Sequence, residues 1–130
     1  MEYKYSDITS ELINAAMEVH RILGNGFQEV IYQRAYEIEL IEKKLFSVLR
    51  EVEVPVSYKG RVIGTRRVDF LINDLISIEI KAVIKLEDVH LAQALNYLEA
   101  YNLEVGLLIN FGAKSLEFKR LYNKKYKPTL

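Results

Sequence analysis

The chain contains no cysteine, which excludes disulfides and every thiolate metal centre. It has two histidines, His20 and His90, too few for an imidazole-built zinc site without carboxylate help. Metal ions held by oxygen are what remains open. Long apolar runs are also missing: none approaches the ~20 residues that span a bilayer. The opening residues, MEYKYSDITSEL, carry neither a basic leader nor an apolar export segment. A cytoplasmic protein without membrane contact is expected. Net charge is absent too, with 18 Lys and Arg against 18 Asp and Glu, which argues against a nucleic-acid binder until the chain is divided. Residues 1–58 hold 6 basic against 10 acidic side chains, and residues 59–130 hold 12 against 8. The positive half ends in KRLYNKKYKP, where Lys119, Arg120, Lys124, Lys125 and Lys127 stand without an acid between them. That tail reads either as a patch for a phosphate backbone or as a frayed, solvated end.

What is present suits one compact domain over residues 1–130. Hydrophobic residues make up 50% and charged residues 28% of the chain, ordinary values for a soluble globular protein, and its length can bury roughly two-thirds of the unfolded surface. Ser6 or Asp7 can cap a first helix, whose Ile8, Leu12, Ala15, Ala16, Val19, Ile22 and Leu23 recur at three- and four-residue steps. Gly24-Asn25-Gly26 ends it. A second helix is expected from Gln28 to Lys44 with Val30, Ile31, Ala35, Ile38 and Ile41 on its apolar side. Alternation follows from Val48 to Tyr58, with Val52, Val54 and Val56 on one face and Pro55 marking an edge strand or a bulge. Lys59-Gly60 turns into a strand from Val62 to Ile72, and Asn73-Asp74 into another from Leu75 to Val83. After Glu87-Asp88, a helix should pack Val89, Ala92, Leu95, Leu98 and Ala100 on the sheet. The apolar run from Glu104 to Phe111 reads as a central strand, and Leu116 to Tyr122 as a last strand or short helix. The order ααβββαβ(β) implies an α/β domain, a mixed sheet of four to five strands flanked by helices.

One stretch carries chemistry. In VDFLINDLISIEIK, from Val68 to Lys81, Glu79 and Lys81 share a strand face because they are two residues apart, and Asp69 meets them if the strands pair antiparallel. Two hard carboxylates suit Mg²⁺, which takes one or two of them together with waters and phosphate oxygens. An adjacent ammonium would complete a trio able to cut phosphodiesters. The same residues equally describe a half-buried strand, with Ile76, Ile78 and Ile80 inward and Ser77, Glu79 and Lys81 in water.

The element order and the D…ExK spacing resemble the PD-(D/E)xK nuclease superfamily, which has the restriction-endonuclease-like fold. GFQEVIY, from Gly26 to Tyr32, fits the motif that names the GxxExxY branch, and EVHRILGNGFQE, VDFLI, IEIKAV, HLAQALNYL and GLLINFG resemble that branch's blocks in order. The resemblance spans Ile8 to Tyr122. It implies that Asp69, Glu79, Lys81 and Gln93 are catalytic. It further implies that Asp69, Glu79, the main-chain carbonyl of Ile80 and Glu29 hold Mg²⁺ or Mn²⁺, and that Gln93 steadies the trio or the attacking water. Val68 stands where the superfamily's proline would be, a common departure. His90, Tyr97, Arg66, Arg67 and Lys85 are further candidates for contacting nucleic acid, DNA above all. A homodimer or a protein partner would fit a small nuclease.

Plainer readings stand beside these. Glu29 can be a first-turn glutamate favoured by the helix dipole, Gln93 and Tyr97 a structural pair on one helix face, and His90 a helix-start residue. Tyr32 and Tyr36 read as packing residues with polar tips. The whole domain can also be read as a binding module that keeps the nuclease fold without turning over.

Overall fold

The computed structural model describes residues 4–128. Its elements run α1 (Ser6–Leu23), α2 (Glu29–Lys43), β1 (Val48–Tyr58), β2 (Arg61–Ile72), β3 (Ile76–Lys81), α3 (Asp88–Tyr101), β4 (Val105–Asn110) and β5 (Glu117–Tyr122). One five-stranded sheet has the order β1-β2-β3-β4-β5. β3 and β4 are parallel, joined through α3, and the other neighbours are antiparallel. Local chemistry sets the two hairpins. Lys59 and Gly60, the two residues between β1 and β2, take φ 49° and 78°, the left-handed pair that matches strand twist, and Asn73 and Asp74, both at φ 54°, turn the three-residue link from Ile72 to Ile76. β1 is an edge strand, which tolerates the missing N–H of Pro55, and its register slips between Val56 and Ser57.

The sheet's two faces are covered unequally. α1 and α2 pack on one face over a large core that includes Leu12, Tyr32, Tyr36, Phe70, Ile78, Ile109 and Phe111. α3 covers the other over a smaller one of Leu71, Ala94, Leu98, Leu103, Leu108 and Leu121. The chain brings α3 close through Gly106 in β4, where a Cβ would lie 2.8 Å from both Leu98 Cδ2 and Ser77 Oγ. Any side chain there would have to displace Leu98 of α3 or Ser77.

Several expectations are corrected by tertiary packing. α1 starts at Ser6, its N-cap is Tyr5 at φ 57°, and no side chain caps it, so neither Ser6 nor Asp7 plays that part. α2 turns Tyr32, Tyr36 and Leu40 into the core, while Ile31, Ile38 and Ile41 are exposed. Rings win that contest over aliphatic chains because they have partners. Tyr32 stacks on Phe111 at 4.9 Å, Tyr36 meets Phe70 edge-on at 5.4 Å, and both hydroxyls donate to carbonyls, of Gly24 at 2.6 Å and Leu12 at 2.9 Å. Burial raises the Tyr36 phenol far above its usual range. α3 rotates likewise: Ala94 and Leu98 are buried, whereas Val89, Ala92 and Ala100 face out. β3 is shorter than the apolar pattern suggests, and all its residues up to Ile80 are buried, Ser77 and Glu79 among them. The C-terminal segment is pinned by Asn102, which exchanges hydrogen bonds with the backbone of Lys127. Among the described residues, no helix is long and apolar enough to cross a membrane.

Candidate active site

β2 and β3 pair from Ile72↔Ile76 to Phe70↔Ile78, and there their ladder stops. One residue further along, side chains take over the backbone donors. The N–H of Ile80 donates to Asp69 Oδ2 at 2.8 Å, and the N–H of Asp69 donates to Glu79 Oε1 at 3.4 Å. Each carboxylate therefore ties down the strand that carries the other. The parting of the strands is what brings two acidic groups together inside a sheet.

Burial has an electrostatic cost that the structure leaves standing. Glu79 is 4% exposed, and desolvation first, then the charge of Asp69, push its carboxyl up to about 9. Desolvation also raises Asp69, although the Ile80 N–H, Glu79 and Lys81 all pull the other way. Burial thus favours the neutral form of Glu79 beside Asp69. A divalent cation between the carboxylates would remove that repulsion, and hard oxygen donors of this kind suit Mg²⁺ or Mn²⁺.

Lys81 leaves β3 on the same face as Glu79, and its Nζ donates to Gln93 Oε1 of α3 at 3.5 Å. Glu29 opens α2. Burial and the charge of Asp69 raise its carboxyl, while Lys81 and Gln33 lower it. Among the described residues, no group of three or more His, Asp and Glu side chains forms a cage for an ion. Glu29 thus feels the pair without closing a three-carboxylate cluster around it.

Gln33 and Arg50 are members of the site that reading the sequence did not find. Gln33 Nε2 donates to Asp69 Oδ1 at 3.3 Å and to Glu29 Oε1 at 3.4 Å, and its Oε1 accepts from Arg50 Nη2 at 3.2 Å. Arg50 also reaches Glu37 at 3.4 Å, and its positive charge lowers Asp69. A signal existed for Gln33, since it lies one helical turn beyond Glu29 on the same face. Arg50 offered none, because only the β1–β2 pairing brings it to α2.

The remaining candidates separate. Tyr97 does not pair with Gln93; its hydroxyl accepts from Arg66 Nη2 at 3.1 Å, and the Arg66 guanidinium sits 4.6 Å above its ring. His90 caps α3: its Nδ1 accepts the Glu87 N–H at 2.9 Å within a reciprocal capping box. That bond leaves Nε2 as the nitrogen that carries the proton of a neutral ring. Arg67 is tied to Glu51 at 3.8 Å. Lys85 lies exposed in the β3–α3 connection, where its charge helps hold the Glu117 carboxyl low, after the hydrogen bonds from Asn110 and the Leu86 N–H. Buried Asn110 shapes that connection by bonding both the N–H and the carbonyl of Val83. The motif GFQEVIY resolves into parts: Gly26 turns at φ 120°, where a side chain is strained, Glu29 faces the carboxylates, and Tyr32 locks the turn.

A mixed five-stranded sheet flanked by helices, with acidic groups where two strands part, defines a restriction-endonuclease-like fold. A family model described as the PD-(D/E)XK nuclease superfamily matches residues 6–121, and the chain belongs to that superfamily. The crystal structure of SSO0001 is similar over 89% of this chain and 77% of that one, with a TM-score of 0.52 and 19% identity. At that identity it supports the fold alone. A search of curated proteins finds no significant match.

Proposed function

We propose that this protein is a divalent-metal-dependent nuclease of the GxxExxY branch that hydrolyses phosphodiester bonds, with DNA as its substrate. The observation that carries this reading is the Asp69–Glu79 pair at the parting of β2 and β3, with the Lys81 ammonium beside it on Gln93. Asp69, Glu79 and the main-chain carbonyl of Ile80 would hold Mg²⁺ or Mn²⁺. When bound, such an ion polarises a phosphate and acidifies a coordinated water.

The chain's own groups supply the rest. Lys81 stands where it can orient the attacking water or neutralise charge growing on the phosphoryl oxygens. Gln93 limits the rotamers of Lys81, and Gln33 does the same for Asp69 while its other end is held by Arg50. Glu29 serves through waters at the edge of the site. Arg66 on Tyr97, His90 through Nε2, Arg67 and Lys85 are the candidates for contacting phosphates.

The test is cleavage of plasmid, single-stranded DNA and RNA with Mg²⁺ and with Mn²⁺. Glu79→Ala and Lys81→Ala should each reduce cleavage by at least about a hundredfold, the scale of losing a transition-state contact. Equal residual activity in wild type and variants would mark a contaminant and end the assignment. No cleavage of any substrate, together with a melting temperature indifferent to EDTA and Mn²⁺, would favour a binding module. Light scattering on the DNA complex reads whether one copy or a homodimer engages the duplex.

A further inference from the structure

β1 and β2 do not end where the sheet ends. β2 leaves β3 after Phe70, yet its ladder with β1 continues from Val52↔Val68 out to Tyr58↔Arg61. Beyond the sheet the pair is a two-stranded ribbon. Its inner half lies near α3, across a cavity of about 550 Å³ lined by Pro55, Val56, Ser57 and Arg66 on one side and Asn96 and Glu99 on the other. Its outer half touches little: every residue from Ser57 to Thr65 is exposed.

A bare ribbon is marginal in water, so length and composition at its tip require a reason. From Ser57 to Arg67 there are four basic residues, Lys59, Arg61, Arg66 and Arg67, and no acidic one, in a chain whose net charge is zero. Between them lie Tyr58, Val62 and Ile63, exposed by 60–67%. Basic flanks around an apolar tip complement a phosphate-walled groove. The ribbon form narrows the partner further, because the major groove of duplex DNA admits a two-stranded β-ribbon. Single strands are gripped on stacking aromatics, and the tip carries one, Tyr58.

We propose that this hairpin is an arm that lies along duplex DNA, with Lys59 and Arg61 on phosphates and Val62 and Ile63 against the groove. The inference rests on the nuclease reading and adds the form of nucleic acid and the length required. β2 leads directly from the arm to Asp69. About eight residues separate Arg61 from Asp69, so at ~3.3 Å per residue the tip reaches ~26 Å from the candidate site. On DNA rising ~3.4 Å per base pair, that equals seven or eight base pairs to one side of the cleaved bond.

The test uses the double variant Lys59→Asn/Arg61→Gln, since asparagine keeps the left-handed turn, and equal melting temperatures establish that the fold is intact. In a Lys81→Ala background, fluorescence anisotropy should show duplex affinity falling roughly tenfold. The slope of log K against log salt should flatten by about two, one for each lost phosphate contact. With Lys81 restored, the double variant should cleave long duplexes more slowly. Trimming the duplex to about four base pairs on one side should make it and the parent equal. Unchanged affinity and salt slope in the variant, with an active parent, would overturn the arm alone. A parent that neither binds nor cuts nucleic acid would overturn the nuclease reading with it.

Discussion

The two faces of the sheet follow different rules. Under α1 and α2 the core is thick, aromatic and free of Asp, Glu, Lys and Arg, and its two tyrosine hydroxyls are both satisfied. Under α3 the core is thin, and beside it lie the buried Glu79 and Ser77. The difference puts most of the apolar packing on one side, while the carboxylates gather where β2 and β3 part, reached by Gln33 of α2 and Gln93 of α3. A carboxylate whose burial disfavours its charge can be tolerated where a larger apolar core, packed elsewhere, holds the strands in register. The comparison breaks if the two cores contribute equally. Phe111→Ala removes a fully buried ring in contact with both Tyr32 and Tyr36 and should cost about 3–5 kcal/mol in denaturant unfolding. Leu121→Ala, at the rim of the thin core, should cost about 2 kcal/mol. Equal losses would mean that α3 carries as much of the fold as α1 and α2 do.

The next effect belongs to the carboxylates where β2 and β3 part. In the unfolded chain Glu79 ionises near 4.5, and in the fold at about 9. Between those values the unfolded state has lost a proton that the native state keeps, so stability falls as pH rises and levels off above 9. One proton gives a slope of at most about 1.4 kcal/mol per pH unit, and the raised carboxyls of Asp69 and Glu29 act in the same direction. In EDTA, melting temperature should therefore drop from pH 5 to pH 9, and Glu79→Gln should flatten the curve. Mg²⁺ or Mn²⁺ should raise the melting temperature more at pH 8.5 than at pH 6, because binding must expel that proton. A curve flat in EDTA would show that Glu79 is not penalised by burial, and the contrast between the faces would lose its electrostatic half.

This contrast also explains what could be read in advance. The hairpins were legible because Lys59-Gly60 and Asn73-Asp74 are local chemistry, and β1 runs from Val48 to Tyr58 as its alternation implies. Asp69, Glu79 and Lys81 were legible as a spacing, and the family blocks turned that spacing into an expected site. The burial of Glu79 was not, since alternation distinguishes two faces but not which of them is covered; α3 covers Ser77 and Glu79. The helix faces misled for a related reason. α2 has aliphatic residues on one side and Tyr32, Tyr36 and Leu40 on the other, and only Phe70 and Phe111, distant in sequence, decide between them. Arg50 is the extreme case: its place beside Gln33 depends wholly on strand pairing.

The smallest predicted effect tests the outer side of α2. Phe27, Ile31, Ile38, Ile41 and Leu45 stand exposed at alternating steps of four, seven, three and four residues, a stripe opposite the buried one. If solvent covers it, Ile38→Gln removes no packing and should change stability by no more than about 0.5 kcal/mol. Leu40→Ala, two residues on and fully buried, should cost about 2–5 kcal/mol. The mass measured by light scattering should not change in the Ile38 variant. A fall in mass, or a loss of stability that deepens on dilution, would instead put a second copy of the chain on that stripe. The thick face would then be apolar on both sides of its helix layer, and its excess over the α3 face would be larger than a single chain reveals.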